Sequence, residues 1–551
     1  MTMFNLIKEP WLPVIRTSGT REKITVADFV DRYEEDPVLF LDASRPDFNG
    51  ALIQFLIGLI QTTYPPAKER EWKKKFSTPP SSTELKTAFE RYAHAFNLDD
   101  EGPRFMQDLD LSEKDGELNK IDHLLMEMPG AQTLDRNADH FLKRDTVTQI
   151  CLHCSAMALF TLQTNAPAGG RGHRTSLRGG GPLTTIVMGR SLWETVWLNV
   201  ITAESFSYYG NAEKKSDSDI FPWMGHTHTS EKKGEDTTSQ HVNPAQMFWA
   251  MPRRIRLSFE HSIDAVPCDL CGGASSRFVT EYFDKSHGIN YKGGWRHTLT
   301  PYSVSPKNDE PLPRHGTSAG ISYRHWLGLI QNASDKNSRI EPAVVVHKFR
   351  QERQDDLTEK NEIPFRLWAF GYHTDNMKVC GWYEGTMPLI HLNKEMKEDY
   401  ESLVSQMIRT ADLVSYNLRS SVRKALFSPE NKVSGDLSFI DSEFWQNTEP
   451  SFYQMLNEFK TALQTKQPVD NLKLRWLRLL KNEGEILFDR YSQSNMISVA
   501  DPKRIAIARH DFNTFSSPNN KKIIELLDLP LSNSPEKTRG GKTREKKEIQ
   551  T

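Results

Sequence analysis

Four cysteines and one glycine-rich loop carry the clearest chemistry in this 551-residue sequence. Cys151 and Cys154 form the knuckle CLHC; Cys268 and Cys271 form CDLCGG, whose trailing glycines free the turn. Thiolates at C-x-x-C spacing suit tetrahedral zinc, and four of them leave no open coordination position, so the expected metal is structural. The 113 residues between Cys154 and Cys268 are more than a compact zinc ribbon spans, which leaves two unrelated pairs of buried thiols as the alternative. A shared ion would tie residue 151 to residue 268 and bring together the basic stretches that follow each knuckle. Cys380 is left over and is expected in the core.

The first of those stretches is APAGGRGHRTSLRGGGP, 166–182, with six glycines, three arginines and a histidine. It lies between an expected helix (151–164) and an expected strand (183–188), both apolar enough for a core, so it does not read as a domain linker. It has no lysine and runs from helix to strand, the reverse of a Walker phosphate loop, and GGKT at 540–543 sits in the tail. What remains is a backbone surface. Gly169, Gly170 and Gly172 let main-chain N–H groups approach a phosphate or a groove floor, and Arg171, Arg174 and Arg178 supply charge; a plain structural turn is the bland alternative. The second stretch, EYFDKSHGINYKGGWRHTLTPY at 281–302, interleaves Lys285, His287, Lys292, Arg296 and His297 with aromatics, a texture that suits nucleic acid as readily as a solvated loop. His226, His228 and His241 are the candidates for a catalytic metal, giving a metal-dependent nucleic-acid hydrolase as the competing function. They lie in a polar loop without a carboxylate at helical spacing, and no nucleophile elbow or H-E-x-x-H stands out, so no active site is expected.

The elements that must position these groups read as an α+β fold. Residues 1–389 mix helices with β-like runs, among them TTIVM at 184–188, RRIRLSF at 253–259 and AVVVHKF at 343–349. From 390 to 530 the pattern changes. Leu403, Met407, Ala411, Val414, Leu418, Val422 and Ala425 form the stripe of a long amphipathic helix, and further helical stretches at 438–466, 470–491 and 502–515 predict an antiparallel four-helix bundle. Residues 531–551 are charged and poor in apolar residues, and disorder is expected there. The chain is too long for one core, and 37% hydrophobic content with 12 Trp and 28 Phe supplies enough for two or three. A formal net charge of -2 excludes a generically basic binder, so nucleic-acid contacts must be local patches. No signal peptide is evident, and ALIQFLIGLIQ at 51–61 is about half a membrane span, so it reads as a buried helix in a cytoplasmic protein.

Taken in order, FNLIKEPWLPV, QTNAPAGGRG with RGGGPLTT, NPAQMFWAMPRRIRL, the two knuckles, YKGGWRHTLTPY and FGYHTDNM resemble the CasA family, the large subunit of the type I-E CRISPR surveillance complex Cascade. The resemblance implies a non-catalytic subunit. Guide RNA reads the target by pairing, and the protein reads a short flanking motif, the PAM, in target double-stranded DNA. Reading is from the minor groove, whose degenerate edges suit a backbone-lined reader. It further implies that Gly169, Gly170 and Gly172, with Arg171 among them, form the reading loop, that Lys285 joins them, and that Asn376 tips a wedge that parts the first base pairs. Relatives often carry Gln at that wedge. GAQTLDRNADHFLKR at 130–144 is similar to the family loop that holds the 5′ handle of the guide RNA, with Phe141 stacking and Lys143 beside it. Zinc, other Cascade subunits and a recruited helicase-nuclease are the implied cofactor and partners, with no membrane.

Overall fold

The structure is a computed structural model that describes residues 3–128, 145–170, 172–232, 235–307, 309–317, 320–335, 338–358, 365–375, 377–427, 437–493 and 501–530. The chain divides into two compact units, Met1–Asn393 and Lys394–Thr551. No helix among the described residues is long and apolar enough to cross a membrane.

The first unit mixes helices with four antiparallel sheets. Strands β1 (Leu12–Arg16), β2 (Arg21–Ile24) and β3 (Val38–Leu41) form one sheet in the order β2-β1-β3. A second sheet is centred on β8 (Ala274–Lys285), which pairs with β4 (Glu117–Lys120), β5 (Ile150–Cys151) and β7 (Arg254–Pro267). A third runs β14 (Lys378–Pro388), β13 (Arg366–Asp375), β6 (Thr184–Met188), and a fourth joins β9 (Tyr302–Val304) to β10 (Pro311–Pro313), β11 (Ala333–Asp335) and β12 (Ser338–Glu341).

Helix α1 (Pro46–Thr63) is the predicted buried helix, with Pro46 in its first turn, where a missing N–H is harmless. It is apolar on nearly every side because it is enclosed on nearly every side. Phe55 lies edge-on to Trp11, Phe96, Phe105, Phe160 and Trp249, the centre of an aromatic core. Helix α2 (Leu152–Asn165) follows Cys151 and is buried along most of its length.

Two expectations fail in this unit. AVVVHKF is helical, with Val344–Lys348 α-helical and Phe349–Arg353 continuing as a π-turn. Val345 and Val346 are fully buried there; a short apolar run does not declare its period, and packing overrides the β preference of valine. Cys380 is exposed on β14, a strand with little burial along its length, and its thiol lies 3.9 Å from Lys378 O.

The second unit is helical. The stripe read in the sequence is the buried face of α3 (Lys397–Leu426), against which α4 (Ser438–Gln464), α5 (Asp470–Gln493), α6 (Pro502–Phe515) and a shorter α7 (Lys521–Leu527) all pack. Trp476 on α5 is fully buried and donates its indole N–H to Met407 O at 3.1 Å. Asp501 caps α6 by accepting from the amides of Lys503 and Arg504, ahead of Pro502. Lys473 is buried and donates to Leu527 O at 2.7 Å, placing a cation at the C-terminus of α7. The tail 531–551 lies outside the described residues.

Candidate functional site

Two strands of the β8 sheet bring the cysteines together. Cys151 ends β5 opposite Phe278 of β8, and Cys268 and Cys271 occupy the turn between β7 and β8. One turn of α2 then carries Cys154 to the same point. The four Sγ atoms lie within 4.8 Å of one another, with Cys151 and Cys271 at 3.8 Å. Thiolates around one zinc at about 2.3 Å stand about 3.8 Å apart, so the cluster fits a tetrahedral ion. The Cys151 amide donates to Cys268 Sγ at 3.3 Å, the kind of backbone bond that supports a thiolate. Proton sharing pushes the thiols in opposite directions. Hydrogen bonds from Cys151 and Cys154 hold Cys268 well below the usual thiol range, and bonds to Cys151, Cys268 and Cys271 hold Cys154 well above it. A dication would remove that conflict. The cluster is the one group of its kind among the described residues; His226, His228 and His241 do not assemble one. His226 pairs instead with Asp110 at 2.6 Å, which raises the imidazole above its ordinary value, and His228 meets Thr237 Oγ1 at 3.0 Å.

The glycine loop lies against the far end of β8. The His287 amide donates to Gly172 O at 2.7 Å, two residues beyond Lys285, so loop and lysine share one surface. Both residues of that bond are in the left-handed region, Gly172 at φ 86° and His287 at φ 64°. That conformation is free for glycine and uncommon for histidine. A Cβ on Gly172 would approach Ser286 Cβ to 2.9 Å, and one on Gly169 would approach His173 Cβ to 2.3 Å. Gly170 is exposed, with nothing within 4 Å of where its Cβ would stand. Lys285 is half-buried. Burial pushes Asp284 up and His173 down, each toward its neutral form.

The other end of the loop rests on the hairpin of β13 and β14. Gly181 packs at the Tyr372 main chain, Gly371 at Pro182 O, and Thr374 Oγ1 lies 3.4 Å from Gly180 O. Beyond Phe370, β13 pairs with β14 alone, and the paired strands end at Asp375 and Lys378. Asn376 lies outside the described residues, as do Arg171, Phe141 and Lys143. The hairpin is held toward its turn end by Tyr372, which is buried and donates its hydroxyl to Asp47 at 2.6 Å; Arg45 grips both Asp47 and Glu127. The sequence gives no sign of that network, because its four residues lie in three separate segments.

Several basic residues are not surface charges. Arg178 is buried at 2% exposure and donates to Gln54, Thr184 and Thr300; burial lowers it to about 10. Arg174 donates to Ser230 at 2.7 Å. His297 is buried against Phe248, and Arg296 is paired with Glu341. Side-chain polarity alone does not separate a buried arginine with three acceptors from an exposed one.

The family model for CRISPR-associated protein Cse1 matches residues 5–485. Among solved structures, Cse1 of Thermobifida fusca is similar at TM-score 0.65 and 15% identity, covering 95% of this chain and 98% of its own. Cse1 of Acidimicrobium ferrooxidans is similar at TM-score 0.64 and 16% identity, covering 94% and 98%. A chain of a structure described as a CRISPR RNA-guided surveillance complex is similar at TM-score 0.64 and 15% identity, covering 94% of this chain and all of its own.

Proposed function

The chain belongs to the CRISPR-associated protein Cse1 family, and from that membership we propose that it is the large subunit of an RNA-guided DNA surveillance complex, recognising a PAM in target double-stranded DNA. Members of this family are non-catalytic subunits. In this reading Gly169, Gly170 and Gly172 lay main chain along the minor-groove floor, Arg171 and Lys285 meet the duplex beside them, and Asn376 parts the first base pairs. Phe141 and Lys143 hold the 5′ handle of the guide RNA, and the helical unit, as a four-helix bundle, faces other subunits and the displaced strand. A helicase-nuclease recruited afterwards cuts the DNA. Cys151, Cys154, Cys268 and Cys271 hold zinc, which supplies a covalent-like staple between two distant segments.

The observation that carries the reading is the 2.7 Å bond from the His287 amide to Gly172 O, because it sets the main chain of the glycine loop against the segment that directly follows Lys285. The test is binding of the assembled complex to duplexes that differ only in the PAM. Lys285→Ala and Gly170→Pro are expected to abolish PAM-dependent binding while guide RNA still co-purifies, and substitution of His226, His228 and His241 is expected to leave it intact. Histidine variants that abolish activity, with Lys285→Ala silent, would overturn the proposal in favour of a hydrolase.

A further inference from the structure

Beneath the glycine loop lies a cation with no carboxylate partner. Arg253 immediately precedes β7, and its main chain is clamped by Gln163, which accepts from the Arg253 amide at 2.9 Å and donates to its carbonyl at 2.9 Å. The guanidinium reaches under the loop, donates to Pro167 O at 2.6 Å, and stands 2.8 Å from where a Gly169 Cβ would be. Its Nε is sealed from solvent and has no hydrogen-bond partner among the described residues. Among the described residues no carboxylate lies within ion-pair distance of it. The contrast with its neighbour is direct, since Arg254 forms ion pairs with Asp108 and Glu231. Asp284 acts on it only from beyond ion-pair distance, and that carboxylate's ion pair is with His173, at 3.8 Å. A largely buried guanidinium stays protonated, because even burial lowers this one only to about 10.

A buried charge without an ion pair and an orphaned donor are both costly inside a protein, and native structures rarely keep them without a use. Here the main chain of Gly169 lies directly against that guanidinium, with the His173 side chain beside it. Glycine main chain is thin, and a field passing through low-dielectric material is screened far less than one in water. We propose that Arg253 is a positioning residue for nucleic acid, fixing the loop through Pro167 and projecting its charge through Gly169 and Gly170 onto a backbone phosphodiester seated on the loop's outer face. The inference rests on the reading of the loop as a duplex-binding surface.

Salt dependence separates this role from a purely structural one. Each phosphate neutralised adds about one to the slope of log affinity against log salt concentration, and a loop anchor alone adds nothing to it. In the assembled complex titrated with PAM-bearing duplex, Arg253→Gln is expected to lower the slope by about one and weaken binding on the order of tenfold at moderate salt. Arg253→Lys, which keeps the charge, is expected to retain the wild-type slope. Should the Gln variant fail to assemble, Arg253→Met supplies the uncharged comparison. An unchanged slope in the uncharged variant, whatever its affinity, overturns the proposal and leaves Arg253 as an anchor for Pro167. Lys285→Ala and Gly170→Pro run in the same titration keep the two failures apart: if neither affects binding, the loop is not the duplex surface at all.

Discussion

A methyl group added at position 170 meets open space, whereas one added at position 172 meets Ser286 and His287 in a left-handed backbone. The two glycines therefore serve different ends. Gly172 is required by the loop's own geometry, whereas at Gly170 the fold itself leaves room for a side chain. Gly170→Ala is expected to leave chemical-denaturation stability within about 0.5 kcal/mol of wild type while weakening duplex binding by the complex. Gly172→Ala is expected to cost about 1–2 kcal/mol and to disturb both. Equal stability of the two variants would show that the loop is not held as described. At this scale the residue types were legible and their surroundings were not. The loop and the segment after Lys285 meet at the His287–Gly172 bond, while Arg178, of the same type as its loop neighbours, turns inward to Gln54, Thr184 and Thr300.

Among the elements, β8 does the most positioning. One end meets the thiol cluster through β5 and the turn after β7; the other carries Lys285 to the glycine loop. The cluster joins the β7–β8 turn to the start of α2, and the outer side of that turn is open: Cys271 is exposed, and a Cβ at Gly272 would meet none of the described residues within 4 Å. Metal binding and local folding are linked at such a site. The purified chain is expected to hold one zinc per molecule by atomic absorption. Cys154→Ser is expected to lose most of it and to increase amide hydrogen exchange in β5 and the β7–β8 turn more than in α1. Full zinc content in that variant would mean that the ion, if any, sits elsewhere. Element types followed the strength of the periodicity. The stripe of α3 repeats over many turns and leaves one reading, but AVVVHKF is shorter than two helical turns and its fate was set by the pocket around Val345 and Val346.

Over the whole molecule, the unit Met1–Asn393 keeps several histidines neutral by enclosing them. His297 is the deepest, held well below its ordinary value by burial, with the cation Arg178 adding to the effect. The unfolded chain takes up a proton at this residue below about pH 6.5 and the folded chain does not, so folding stability is intact above that pH and falls as the solution is acidified. The denaturant midpoint of the wild type is expected to drop between pH 7.5 and pH 5 by more than that of His297→Asn, which keeps an acceptor for the Leu299 amide but cannot titrate. Parallel losses in the two proteins would refute the assignment. The sequence by itself determined the α+β and helical texture of the two units, the buried α1, and the pairing of cysteines into knuckles, because periodicity, apolar run length and C-x-x-C spacing are local properties. Only the tertiary structure decided which arginines turn inward, where the hairpin is anchored, and that Arg253 lies beneath the loop with no ion-pair partner among the described residues, because burial and partnership depend on segments far apart in the chain.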